Sequence, residues 1–276
     1  MKKIPDLKIY SILSQAECKV GLYVESIDTE EVFEVNPNTV FPSASVIKVP
    51  MLALLMKDAQ EGRVDLHVPH PIKPENRVSG SGIIRKLDES YVPSLNTLAK
   101  LMIILSDNIA TNEVMDVIGI ERFNAFCLEQ GWSKTSLGRK MMDMEAIRQG
   151  KSNYTSAGDL GRLLSSVARC QCISKEVSRQ VFETMLDQQF RDMLPELIPA
   201  IPFFASEADR NSLAPDTVLV ANKTGELLNV QHDVGIFVLP DKRRYVIAMF
   251  TAEHAEGCNG HHVIAQVSQA VYNALK

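Results

Sequence analysis

Residues Phe41 to Leu52 read FPSASVIKVPML, with a serine at 45 and a lysine at 48, at the head of an apolar run that continues to DAQEG. Apolar spacing and the terminal Gly62 mark this run as a helix, and Pro50 is compatible only with its first turn, so the helix is predicted to begin near Ser45. One turn then separates Ser45 from Lys48 on a single face. Alone, the pair reads as a capping serine and a solvated lysine. A serine three residues before a lysine is expected about once by chance in this composition, so the pair needs company before it means chemistry.

Working outward, residues 5 to 16 read as a short helix. KVGLYVES and EEVFEVN read as two strands joined by a turn around Asp28 and Thr29. Beyond the central helix, residues 63 to 195 carry helical patterns at SLNTLAKLMIIL, IATNEVMDVIG, ERFNAFCLEQG, SAGDLGRLLSSVA and SKEVSRQVFETMLDQ. A proline-punctuated connector, PELIPAIPFF, leads to three strand patterns, DTVLVANKTG, HDVGIFVLP and RRYVIAMFTAE, and a closing helix from about His262 to Leu275. A short isolated sheet is marginal in water, so the C-terminal strands are expected to pair with the N-terminal hairpin. The expected architecture combines α/β and all-α parts. An antiparallel sheet flanked by helices is built from residues 1–62 and 196–276, with a helical lobe, 63–195, inserted and packed into one domain.

Two further strings give the serine and lysine their company: SDN at Ser106 to Asn108, and KTG at Lys223 to Gly225. Each is expected only about 0.03 to 0.05 times by chance here, so their joint occurrence in this order outweighs the structural reading of each. Ser45 at a helix N-terminus stands beside backbone donors and the positive end of the dipole, a setting that favours an oxyanion during acyl transfer. Lys48 can accept a proton only if burial and a second cation depress its pKa. Gly225 lets a substrate approach an edge strand where a side chain would block it.

On these three strings the chain resembles the class A beta-lactamase family, and the resemblance runs through nearly the whole sequence. It implies a beta-lactamase/transpeptidase-like fold with a cleft between an α/β lobe and a helical lobe. It implies Ser45 as nucleophile, Lys48 as base, Ser106 as proton bridge and Lys223 as the second cation. By the same resemblance Asn108 and Thr224 hold the substrate, and the Glu226 N–H is an oxyanion donor beside that of Ser45. No metal or cofactor is implied, and the expected partner is a small beta-lactam or a related amide or ester.

The sequence departs from the family pattern in two places. The family's omega loop carries a glutamate and an asparagine that hold a deacylating water. Here the region reads LGRKMMDMEAIRQG, leaving Glu145 first and Asp143 second as the candidate carboxylates. After KTG the next strand offers His232 and Asp233 rather than an arginine. These two residues either line the site or form a surface pair, and with Glu226 they set acids where an anionic substrate would bind. A hydrolase is the first reading. An acylating sensor with very slow release, or a cell-wall peptidase or esterase on the same scaffold, is the alternative. HAEGCNGHH, with His254, Cys258, His261 and His262, offers a competing zinc set but reads equally as a strand-to-helix loop.

The bulk numbers fit a small-molecule enzyme. At 276 residues and 45% apolar content the chain can bury a core without staples, and a net charge of −5 gives no basic excess for nucleic acid or an anionic membrane. Five cysteines without framework spacing fit a reducing compartment. Pro5, Asp6 and Lys8 interrupt the N-terminal segment, so a cytoplasmic location is expected, with export the alternative if a leader has been removed.

Overall fold

The computed structural model describes residues 2–199, 213–214 and 216–276. Part of the PELIPAIPFF connector therefore lies outside the described residues. Helix α1 (Asp6–Leu13) precedes β1 (Lys19–Ser26) and β2 (Val32–Val35), then a two-residue strand β3 (Phe41–Pro42) and the central helix α2 (Lys48–Gln60). Four helices follow, α3 (Leu95–Ile104), α4 (Asn108–Ile118), α5 (Ile120–Glu129) and the short α6 (Met144–Arg148). After β4 (Tyr154–Thr155) come α7 (Ala157–Ala168) and α8 (Lys175–Leu186), then β5 (Leu219–Leu227), β6 (Val230–Val238), β7 (Arg244–Ala252) and α9 (Gly260–Leu275). Among the described residues no helix is long and apolar enough to cross a membrane.

The five long strands form one antiparallel sheet in the order β2-β1-β7-β6-β5, so the C-terminal strands pair with the N-terminal hairpin as expected. Period-two alternation sorts their side chains between two cores. Leu22, Val24, Phe237, Ile247 and Met249 pack toward α1 and α9. Tyr23, Val234, Ile236, Val246 and Phe250 join the larger core with α2, α7 and α8. Helix α7, within the segment read as the inserted lobe, packs on β1, β6 and β7 instead. Gly161 permits this approach, because a Cβ there would collide with the Tyr23 side chain.

Helix α2 is apolar on every side, and every residue from Lys48 to Met56 is buried, the pattern of a helix at the centre of a core. Truncating one of its leucines, such as Leu52→Ala, would cost about 2–5 kcal/mol. Its start differs from expectation in detail. Residues Ala44–Ile47 form a 3-10 turn and the α-helix proper begins at Lys48, with Ile47 at the cap position and no side-chain cap. Ser45 is therefore not a capping serine. Gly62 adopts φ +72 just past the helix, as its place in the sequence suggested.

Candidate active site

Three elements converge on the turn that carries Ser45. From below, α2 projects Lys48 from its first residue. From the helical side, the segment between α3 and α4 supplies Ser106 in a left-handed conformation, φ +53, before Asp107 caps α4 by accepting from the Ile109 and Ala110 N–H groups. A non-glycine residue held there costs roughly 1–2 kcal/mol, which neighbouring bonds must offset. The second Asp107 oxygen accepts from Ile83 N–H (2.7 Å) and Ile84 N–H (2.9 Å), so one carboxylate fixes both the helix and the loop packed over it. From the sheet side, β5 is an edge strand and brings in Lys223, Thr224 and Gly225.

Lys48 is fully buried, and its Nζ donates to Ser106 O (2.9 Å), Ser106 Oγ (3.0 Å) and Asn108 Oδ1 (3.3 Å). Burial first, and the charge of Lys223 second, hold its pKa well below the ordinary lysine value, against a smaller opposing effect of Asp107. Lys223 is equally buried, donates to Thr224 O (2.6 Å), and is pushed down to about 7, chiefly by burial. An amine whose pKa is depressed and that is bonded to a serine hydroxyl, as Lys48 is, can take and return protons. Gly225 faces the turn that carries Ser45: a Cβ there would lie 3.0 Å from both the Ser45 and Val46 nitrogens. The missing side chain lets strand and turn approach closely, with the Ser45 N–H facing the strand that carries Glu226. Among the described residues the half-buried Ser45 hydroxyl has no hydrogen-bond partner. Gln188, fully buried, ties the two sides together behind the site by donating to Ile103 O on α3 and Asn222 O on β5.

The model of the beta-lactamase enzyme family matches residues 5–275. The chain belongs to that family. Extended-spectrum beta-lactamase PER-1 of Pseudomonas aeruginosa is similar at 24% identity over 273 residues, covering 96% of this chain and 85% of the relative. A beta-lactamase of Bacteroides uniformis is 24% identical over 283 residues, covering 98% and 90%. Among solved structures, PBP-A superposes with TM-score 0.82 at 27% identity over 98% of this chain and 94% of its own. A beta-lactamase from Sphaerobacter thermophilus superposes at 0.85 and 22% identity over 99% and 97%. The beta-lactamase/transpeptidase-like fold and the class A resemblance both hold.

Where this beta-lactamase-family chain departs from the sequence reading is at the omega loop, residues 137 to 153. The loop is closed at its neck by β3 against β4 and by Ser136 paired with Tyr154. Glu145 lies on the exposed surface of α6, its carboxylate bound by Arg148 and by Gln149 (3.0 Å). Asp143 is used as the α6 cap, accepting from Ala146 N–H at 2.9 Å. Neither carboxylate is brought to Lys48, so the structure does not place Glu145 with the catalytic group. The reason is local: a five-residue helix capped by Asp143 turns Glu145 toward its own i+3 and i+4 neighbours. Met141 is buried, and the exposed Met142 sets its sulfur beside Gly80, next to the Asn108 amide.

Asn112 is the residue that sequence reading missed. Its amide donates to Met141 O (3.1 Å) and accepts from Met141 N–H (2.8 Å), clasping the loop to α4. The available signal was its spacing, one helical turn after Asn108 and so on the same face. Lys140 reinforces the clasp through Asp116 (2.6 Å) and Asn76 (2.9 Å).

His232 and Asp233 are fully buried, and neither forms a surface pair. His232 sets its two ring nitrogens beside the Gln231 carbonyl (2.8 Å) and the Pro42 carbonyl (2.9 Å), one of which accepts its single N–H, and burial lowers its pKa to about 4. Asp233 accepts from Leu194 N–H (3.0 Å) and the Asn222 amide (3.1 Å), and burial raises it to about 7. The remaining acid, Glu226, is exposed and 3.1 Å from His261. The expected acidic repulsion of an anionic substrate is therefore weaker than the sequence implied. The four residues of the zinc reading go to different partners: His254 bonds Thr251, Cys258 neighbours Cys18, His261 lies between Glu226 and Asp192, and the His262 N–H donates to the Asn259 cap of α9.

Proposed function

We propose that this chain is an acylating serine enzyme that opens a beta-lactam, or a related amide or ester, through an ester at Ser45, and that it releases the acyl group slowly. The observation that carries the acylation step is a fully buried Lys48 bonded to the Ser106 hydroxyl, with the equally buried Lys223 close enough for its charge to act on Lys48, beside the turn that carries Ser45. Ser45 Oγ attacks the carbonyl as its proton passes to the neutral Lys48 amine, and the oxyanion is met by the Ser45 and Glu226 N–H groups. Ser106 then gives its proton to the leaving nitrogen and is reprotonated from the Lys48 and Lys223 side. Thr224 and Lys223 meet a substrate carboxylate, and Asn108 meets its amide.

Slow release follows from the loop. Hydrolysis of the ester needs a base that activates water, and the loop carboxylates are bound elsewhere, while the loop residue set beside the Asn108 amide is Met142. PBP-A, among the similar structures, is known in a variant form as an acyl-enzyme complex with penicillin G, which supports the same first step here. Efficient hydrolysis is the second reading, favoured by relatives that are themselves beta-lactamases. Intact-mass spectrometry over time after mixing with a penicillin separates them. A persistent adduct on Ser45 supports slow release, a transient adduct with repeated turnover supports the hydrolase, and no adduct refutes both. Assaying release of D-alanine from a peptide substrate tests the peptidase alternative in the same samples.

A further inference from the structure

Cys18 and Cys258 are separated by most of the chain, yet the ends they occupy are brought together by the sheet. Lys19 opens β1 opposite Ala252 in β7, and the next residue, Glu253, pairs with the Lys19 ammonium at 3.2 Å. The chain leaving β7 then doubles back. Ala255 N–H donates to Glu17 O (2.9 Å) and Cys258 N–H to Ala255 O (3.0 Å), forming a turn that lies over residues 17 and 18. That turn sets Cys18 and Cys258 as neighbours, close enough for the charge of one to bear on the other, and both are half-buried. Cys258 lines a groove of about 560 Å³ between α1 and α9, which gives a small reagent access. The other cysteines are placed differently, with Cys127 and Cys172 buried in the larger core and Cys170 exposed.

We propose that Cys18 and Cys258 are a redox pair that closes to a disulfide, joining the entry of β1 to the turn ahead of α9. With glutathione disulfide as oxidant, the Cys258 thiolate attacks one glutathione sulfur and releases one glutathione thiol. The Cys18 thiolate then attacks the Cys258 sulfur of the mixed disulfide and releases the second. Two protein thiols lose two electrons, glutathione disulfide gains them, and the two protons leave on the two glutathione thiols. Cys258 attacks first because it faces the groove, whereas burial and the neighbouring sulfur hold the Cys18 thiol well above its ordinary range. The bond closes a loop spanning nearly the whole chain, so it constrains the unfolded state strongly.

The test uses the full chain carrying Cys170→Ser, which removes the exposed competitor. After incubation with glutathione disulfide, free thiols are alkylated and intact mass and a non-reducing peptide map are recorded. The expected result is loss of the mass of two hydrogens, a Cys18–Cys258 cross-linked peptide that dithiothreitol reverses, and a higher thermal midpoint. Cys18→Ser added to this background should instead leave a single glutathione on Cys258. Separate glutathione adducts on both cysteines without a cross-link, or two thiols that stay alkylatable, would overturn the proposal. If Cys170→Ser does not fold, the same cross-linked peptide is sought in the unsubstituted chain, and its absence there overturns the proposal equally.

Discussion

Gly225→Ala probes the convergence of strand and nucleophile directly. The added methyl would sit 3.0 Å from the Ser45 and Val46 nitrogens and 3.1 Å from Ala44 Cβ. Those atoms are backbone and a short side chain, so none can rotate aside, and ordinary carbon contacts need about 3.5–4.0 Å. Turn and edge strand must part by a few tenths of an ångström. Losing an oxyanion donor costs roughly 10²–10³ in rate, and misplacing reacting groups by about 1 Å costs a similar factor, so acylation should fall about 100-fold. Overpacking at this edge should cost about 1–3 kcal/mol of stability. The assay is the pseudo-first-order rate of adduct formation with a chromogenic cephalosporin, with thermal melting alongside. A folded variant acylated within about threefold of the parent rate would refute the proposed oxyanion geometry.

Other substitutions test the remaining parts. Ser45→Ala should abolish the adduct while leaving the melting curve intact; continued labelling would place the nucleophile elsewhere. Because Lys48 must be neutral to act as base, acylation should fall as pH drops through the depressed lysine pKa. Lys223→Gln, by removing the second cation, should move that acid limb upward by on the order of one pH unit, and an unmoved or lowered limb would contradict the assigned role. Glu145→Gln should leave the lifetime of the acyl adduct unchanged, since the carboxylate is exposed and held by Arg148; a lifetime lengthened about tenfold would restore Glu145 as the base. His232 has a folded pKa of about 4 against an ordinary 6.5, so the unfolded chain takes up its proton first as pH falls. Its share of stability is full above pH 6.5 and is lost toward pH 4, about 3 kcal/mol in all. Denaturant melts of the parent and His232→Phe across that window should differ by this loss, and parallel curves would reject it.

Much of this protein was written locally. Alternating apolar residues set β1, β6 and β7, and Ser94, Asp107, Ser156 and Ser174 capped helices where the sequence placed their starts. The ordered SxxK, SDN and KTG strings pointed to the groups that the structure brings together around Ser45, because the proposed acyl transfer needs a nucleophile, an amine and a proton bridge in one place. Other properties depended on packing between distant segments. Burial, with the charge of Lys223 acting on Lys48, lowers the pKa of both lysines, that of Lys223 to about 7, and burial removes Asp233 and His232 from the surface. Side-chain direction on one short helix sends Glu145 away from the site, which residue order could not disclose. The meeting of Cys18 with Cys258 follows from the pairing of β1 with β7, a contact between chain ends that no local pattern encodes. Sequence fixes local conformation and the available functional groups; the tertiary fold sets their distances and their exposure to water, and hence their reactivity.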